Sequence, residues 1–480
     1  MKKNELFENH IVNKNSSFEL KYDYIDPRKL LSANRLDIGF KLFYLNNREY
    51  INEFSVKIYK SHIRAITDNS FKEFGNNTKS DFKKFLDEFL TIEASLLKNE
   101  FDTDASIIPV SENNVLLDGS HRLSIAVKNK IQIAIQKFDL KHPAYNWKFF
   151  RDRGVAKNHI EIAVNQMVQY SNNIYTAFIW PKAKNNTQSF LESISEDKLL
   201  YIKKVKLGTN GGMNLLTQLY KDQEWLGGIE QGYNGAISKL SQTFDSSGIL
   251  HVVFFFEENQ SKVMSIKKMF RDKIGIGKHS IHINDNKDET LLISQLILNR
   301  NSIAFLNDSK ILRFKENINL ISSYKSLIDK KNLDIQNFVI CGSMPLSLYG
   351  LTKAGDIDFL TIENIEFLEP GLNSHNGYLK HYNQSLNELI FNPENFFYFH
   401  GIKFLTIDNI IIFKKNRGEL KDKLFLENYK ANKSYYKVYL LGFLSTLSLY
   451  RFKALALIIK YSKILGVYNF LKFFYKRIIR

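Results

Sequence analysis

The sequence predicts a multidomain chain of mixed α/β and α+β character that ends in an amphipathic helical tail. Three observations predict it. Apolar strand-like runs alternate with helical patterns along most of the 480 residues. A chain of this length exceeds one ordinary hydrophobic core, so it divides into units. Two strand–glycine turn–helix steps, VLLDGSHRL and FVICGSMPL, lie far apart and fall in separate units. The expected division is 18–150, 151–310, 311–430 and a tail over 431–480.

The 44% hydrophobic and 14% aromatic content suffices for packed cores. A single cysteine, Cys341, excludes a disulfide framework or a multi-cysteine zinc site and fits a reducing cytoplasm. The N-terminal MKKNELFENHIVNKNSS lacks the apolar stretch of a signal peptide, so a cytoplasmic protein is expected. The abundance of Lys, Asn, Ile and Phe with only seven prolines fits an AT-rich bacterial genome, which is drift rather than function.

The net charge of +17 is concentrated in one place. Residues 430–480 hold eleven Lys or Arg and no Asp or Glu, which leaves +6 for the body. That is no groove-wide footprint for nucleic acid, and no specific DNA binding is expected. The longest uncharged run of the tail, Val438 to Tyr450, is 13 residues, too short to span a bilayer of ~30 Å. Lysines then interrupt Leu, Ile, Phe and Tyr at roughly helical spacing. Cationic amphipathic helices of this kind lie in a membrane interface, so peripheral association with the inner membrane face is expected. A helical hairpin packed on the body, with solvated lysines, is the structural alternative.

In the first unit, FELKYDYI reads as a strand and Asp26-Pro27 as a turn. A polar helix covers about Asn76 to Asn99. SIIPV and VLLD read as strands joined by Ser-Glu-Asn-Asn, and the glycine turn leads into the helix SHRLSIAVKNK. Free backbone N–H groups at a helix start form an anion site. Gly119 lets a phosphate approach, Ser120 at the helix start is a further phosphate-binding candidate, and Arg122 can clamp phosphate oxygens in a fork. His121 can donate to a phosphate or move a proton, and Asp118 can orient it or hold a metal ion. An ordinary Asp-Gly turn with a solvated first helical turn explains the same residues. Arg35, Asp37, Lys41 and His62 are candidate pocket contributors.

Asp118, Gly119, His121 and Arg122, preceded by a strand pair with Pro109-Val110, resemble the D-G-x-H-R signature of the ParB/sulfiredoxin-like fold. That family includes CTP-binding partition proteins, sulfiredoxin and free-serine kinases. The resemblance covers about 130 residues and implies a nucleotide-phosphate site. No helix-turn-helix follows, which argues for small-molecule chemistry.

The middle unit reads as helix then strand (VAKNHIEIAVNQMVQYSNNIYTAFIWP), strand, glycine loop and helix (LLYIKKVKLGTNGGMNLLTQLY), an apolar strand (ILHVVFFFEE), and strand, turn and helix after IGIGKHSIHI. Asn210-Gly211-Gly212 is no P-loop, since no Gly-Lys-Ser or Gly-Lys-Thr follows. Asn286 and Glu289 match a capping box. On a strand His279 and His282 point to opposite faces, so a metal pair is not expected; His282 and Asp285 could line a substrate site.

In the last unit, FVIC is a buried strand and Gly342-Ser343 a tight turn into MPLSLYGL. Asp356 and Asp358 then alternate along a strand and share one face. Side-by-side carboxylates repel and call for a cation, of which nucleotide-borne Mg²⁺ is the obvious candidate. A solvated edge strand is the bland alternative. The pattern resembles the nucleotidyltransferase fold related to DNA polymerase β, in the subtype of the minimal nucleotidyltransferases and the AbiEii-like group. The resemblance implies that Gly342 and Ser343 hold phosphates and that Asp356 and Asp358 bind Mg²⁺. It also matches Lys414, Arg417, Lys421 and Asp422 to the family's later helix, with Lys414 and Arg417 at the phosphates. The family's third carboxylate has no evident counterpart: Glu363 is too close, and Asp408 reads as a helix N-cap.

Together these readings imply a phosphoryl- or nucleotidyl-type transferase using Mg²⁺ and ATP or CTP, or another nucleotide-activated donor. The tail is similar to the basic hydrophobic C-termini of enzymes acting on lipid-linked glycans, so a sugar or glycan acceptor in capsule or lipopolysaccharide biosynthesis is the expected substrate. The alternatives are a CTP- or ATP-gated binding protein with a degenerate transferase unit, and a toxin or antiphage nucleotidyltransferase acting on RNA or protein.

Overall fold

The computed structural model describes residues 19–72, 80–99, 101–104, 106–365, 367 and 369–436, with isolated positions near both ends. Among these the chain is mixed α/β, mostly helical, and carries three small sheets. The basic tail from 437 onward lies almost wholly outside the described residues. No described helix is long and apolar enough to cross a membrane.

The first sheet has the order β1-β3-β2, from β1 (Asp23–Ile25), β2 (Ile108–Ser111) and β3 (Ile133–Phe138). Around it lie α1 (Asp37–Asn47), α2 (Asn52–Ile66), α3 (Phe82–Asn99) and α4 (Ser120–Asn129). Strands β2 and β3 are parallel, because α4 carries the chain across between them. VLLD was expected as the partner strand, but it makes only a single bridge, Val110 to Leu116. Two backbone bonds flank that bridge, Ser111 N–H to the Val115 carbonyl at 2.8 Å and Leu117 N–H to the Pro109 carbonyl at 3.0 Å. The Leu116 carbonyl, pointing away from β2, accepts from Arg35 at 2.7 Å, and the chain then turns at Gly119 into α4.

Helix α1 is buried from Asp37 to Leu45, packed between α2, α4 and α5 (Lys157–Tyr170). One hydrophobic core therefore runs on from the first unit into the middle one. There the sheet order is β5-β6-β4-β7, from β4 (Ile174–Ile179), β5 (Leu199–Lys206), β6 (Ile249–Phe256) and β7 (Ile281–Ile283), all antiparallel. Alternate residues of β6 enter two cores, Leu250, Val252 and Phe254 in one, Val253 and Phe255 in the other. Both faces are covered, which accounts for an apolar run broken only by His251.

Longer middle helices are α6 (Thr209–Leu219), α7 (Asn234–Thr243), α8 (Gln260–Ile274), α9 (Lys287–Leu298) and α10 (Arg300–Asp308). The expected glycine loop is instead the first turn of α6, where Gly211 and Gly212 pack against Asn307, Leu240 and Phe244. His279 ends a short 3-10 turn before β7, so the two histidines do not share a strand. Asn286 caps α9, accepting from the Glu289 N–H at 2.9 Å, and the Glu289 carboxylate reaches back to the Asp285 N–H at 3.0 Å.

The last sheet has the order β10-β9-β8-β12-β11. Its strands are β8 (Phe338–Cys341), β9 (Ile357–Thr361), β10 (Leu372–Ser374), β11 (Phe396–Phe399) and β12 (Ile402–Leu405). Pairings alternate: β10–β9 and β8–β12 are parallel, β9–β8 and β12–β11 antiparallel. Phe305 of α10 stacks on Phe397 with ring centres 4.4 Å apart, joining this sheet to the middle unit. Further helices are α11 (Glu316–Lys330), α12 (Met344–Leu348), α13 (Ile407–Arg417) and α14 (Leu420–Tyr436). Thr406, not Asp408, is the N-cap of α13.

Candidate functional sites

The DGSHR segment forms the N-terminal turn of α4. Gly119, at φ +85°, is its N-cap and offers no side-chain acceptor to the first N–H groups. A Cβ there would fall 2.8 Å from Arg122 Nη2, so the guanidinium lies directly over the glycine. Arg122 Nη2 is 3.6 Å from Asp118 Oδ2, and both side chains stay partly open to solvent. His121 Nε2 is 2.8 Å from the Tyr59 hydroxyl, and its ring lies 4.5 Å from Phe89. Ser120 contributes its carbonyl, which accepts from Ser124 Oγ at 2.7 Å.

Behind this turn the structure gathers the four upstream residues. Asp37 accepts from Arg35 Nε and Nη2 at 2.9 Å each and from Lys41 Nζ at 3.0 Å. All three are at most 3% exposed. Although burial alone would raise it, the Arg35 and Lys41 charges hold the Asp37 carboxyl far below the usual carboxylate range. His62 is buried beside Phe40 and Tyr59, and burial and then the Lys41 charge keep it neutral. Arg35 also holds the Leu116 carbonyl, two residues before Asp118, so the cluster positions the DGSHR turn from below.

The second site lies at the C-terminal end of β8. Gly342, at φ +64°, is overlaid by Asp358, whose Oδ2 would be 2.0 Å from a Cβ at that position. Ser343 follows as the N-cap of the five-residue α12. Asp356 precedes β9 and Asp358 lies in it, so the Gly-Ser turn and both acids share one corner. Burial, and then the neighbouring Asp358, push the Asp356 carboxyl up.

The neighbouring strand β10 brings further polar groups to the acid pair. Its Asn373 donates to Asp356 Oδ2 at 3.1 Å, and His375, just past its end, puts Nε2 3.1 Å from Asp358 Oδ1. An amide and an imidazole therefore face the acid pair. His375 was not found from the sequence, because nothing local marks it; it reaches Asp358 only through the β9–β10 pairing. Glu363 instead accepts from Asn337 at 2.6 Å.

Lys414 and Arg417 come together on the buried Asp422, at 2.8 Å from Lys414 Nζ and 2.7 Å from Arg417 Nε. Arg417 faces Asp358 electrostatically, and Lys421 faces Asp356. In the middle unit His282 Nε2 lies 2.6 Å from Glu289 Oε1, and Asp285 pairs with Lys267 at 3.2 Å. Among the described residues no group of three or more His, Cys, Asp or Glu is placed to hold a metal ion. No protein-family model, curated protein or solved structure matches the chain.

Proposed function

We propose that the protein is a transferase of phosphorus-containing groups, of phosphoryl or nucleotidyl type. The observation that carries the reading is the acid pair Asp356 and Asp358 over the Gly342-Ser343 turn, where burial and then the neighbouring Asp358 push the Asp356 carboxyl up. These residues fit Mg²⁺ brought in by a nucleotide, since that ion keeps waters and phosphate oxygens and needs only one or two protein acids. Bound there, it would neutralise the acids and the phosphate oxygens together.

The chain's own residues have separate tasks in this reading. Asp356 and Asp358 hold the ion, and Gly342 and Ser343 leave the backbone open to phosphates. Lys414 and Arg417, fixed by Asp422, set a positive field beside the acids. At the first site Arg122 and the N–H groups of Gly119 and Ser120 would take ATP or CTP phosphates, and His121 would hold or move a proton. The acceptor in this reading is a sugar or lipid-linked glycan of surface-polysaccharide biosynthesis, met at the inner membrane face through the tail over 431–480.

The test uses the full chain with Mg²⁺, radiolabelled ATP or CTP and glycan acceptors. Label transfer should disappear in Asp356→Asn and persist in His121→Ala if the last unit is catalytic; the reverse pattern would place catalysis in the first. Transfer that survives both substitutions overturns the reading. A nucleotide-gated binding protein is the second reading, favoured by the amide of Asn373 and the imidazole of His375, which face the acid pair in place of further carboxylates. Saturable nucleotide binding with no transfer to any acceptor decides for it.

A further inference from the structure

A cationic cluster in the middle unit belongs to neither site above. Lys239 on α7, Arg271 on α8, and Lys278 and His279 of the 3-10 turn Gly277–His279 converge just ahead of β7. Lys239 Nζ donates to the Lys278 carbonyl at 2.8 Å and lies 5.8 Å from the centre of the Tyr220 ring. It is only 7% exposed. None of the four forms an ion pair with a carboxylate among the described residues. The acids on this side, Glu289 and Asp285, are already engaged by His282 and Lys267.

Two further atoms point the same way. Arg271 Nε and His279 Nδ1 are buried without a hydrogen-bond partner. An uncompensated buried cation or an unmade buried hydrogen bond costs stability, and an anion bound among these groups would remove both costs. The groups already feel one another. Burial and the Lys278 and Arg271 charges bring Lys239 down to about 8. Burial and then Lys239, Lys278, Lys182 and Arg271 bring His279 down to about 4.

An aromatic surface adjoins the cluster. Tyr220 packs on Trp225 with ring centres 5.0 Å apart, and Trp225 is 46% exposed. A guanidinium fork, an ammonium and an imidazole suit a phosphate group, and an open indole suits a flat organic moiety. We propose that Lys239, Arg271, Lys278 and His279 form a binding site for a phosphate-bearing small molecule, with Trp225 and Tyr220 offering a ring surface to its organic part. The proposal does not rest on the transferase reading.

Isothermal titration of the full chain at low salt, with inorganic pyrophosphate and with AMP, tests it. Saturable binding is expected. Lys239→Met and Arg271→Gln should each weaken it about tenfold or more, equivalent to about 1.4 kcal/mol. Asp356→Asn and Arg122→Gln, which disable the other two sites, should leave a binding event of unchanged affinity. Trp225→Ala should weaken AMP and spare pyrophosphate. Thermal melting gives a second readout: pyrophosphate should raise the melting temperature of the natural chain, while Lys239→Met should melt higher without ligand and lose that increment. If Lys239→Met does not fold, Lys278→Gln, at an exposed position, carries the same comparison. Binding that is untouched by the Lys239, Arg271 and Lys278 variants, or lost only in the Asp356 and Arg122 variants, overturns the proposal. So does the absence of any binding by either probe.

Discussion

Replacing Asp37 with asparagine removes the buried carboxylate that Arg35 and Lys41 both grip. Arg35 and Lys41 both donate to Asp37 at 2.9–3.0 Å, and none of the three side chains is more than 3% exposed. Removing one partner of a buried pair costs about 3–5 kcal/mol, because the other charge stays behind unpaired. Here Arg35 and Lys41 both lose a charged partner, so a loss of about 4 kcal/mol is expected in urea unfolding at pH 7, followed by circular dichroism. Lys41→Met leaves the Arg35–Asp37 pair whole, so it should cost less than Asp37→Asn. The double variant should regain at least about 1 kcal/mol of the Asp37→Asn loss.

The pH dependence has a definite sign. The folded carboxyl lies below its unfolded value of 3.8. Its contribution is therefore complete above that pH and shrinks as pH falls below it. The gap between the natural chain and Asp37→Asn should be flat from pH 5 to 7 and narrow in acid, by roughly 1.4 kcal/mol per pH unit at most. A loss under about 1 kcal/mol, or a double variant worse than the two singles together, would refute the claim that Asp37 is the keystone charge beneath the DGSHR turn.

Gly342→Ala should displace Asp358, since its Cβ would lie 2.0 Å from Oδ2 at φ +64°; a loss of about 1–3 kcal/mol in chemical denaturation and weaker Mg²⁺-nucleotide binding by titration are expected. Lys403 is buried, donates to the Gln336 and Ile390 carbonyls, and is brought down by burial from 10.5 to about 7. A lowered lysine value means that stability rises with pH from 7 toward 10.5, by about 5 kcal/mol in all and roughly 2–3 kcal/mol between pH 6 and 9. Lys403→Met should remove that slope; parallel stability–pH curves for the two proteins would contradict the burial argument. Asp422→Asn leaves Lys414 and Arg417 without their shared carboxylate, so the urea midpoint should fall by the equivalent of about 3 kcal/mol.

What could be read from the sequence was what local chemistry writes. The glycine turn at Gly119, the helix SHRLSIAVKN, the apolar strand of β6 and the alternation of Asp356 and Asp358 depend on a few neighbouring residues. Their signals are turn conformation, period and run length. The expectations that failed involve competition from afar. Gly211 and Gly212 look like a loop, but α6 needs small residues against Asn307 and Leu240.

The sequence by itself determined the strand–turn–helix steps, the acid pair and the concentration of positive charge in the tail, because each is a short-range pattern. Only the tertiary structure decided what those residues face. It set Arg35, Asp37, Lys41 and His62 beneath the DGSHR turn, and Asn373 and His375 opposite Asp356 and Asp358. It also gathered Lys239, Arg271, Lys278 and His279 from two helices and a turn. Electrostatic partnership acts through space over a few ångströms, and sheet order and helix packing, not chain position, bring those side chains within that range.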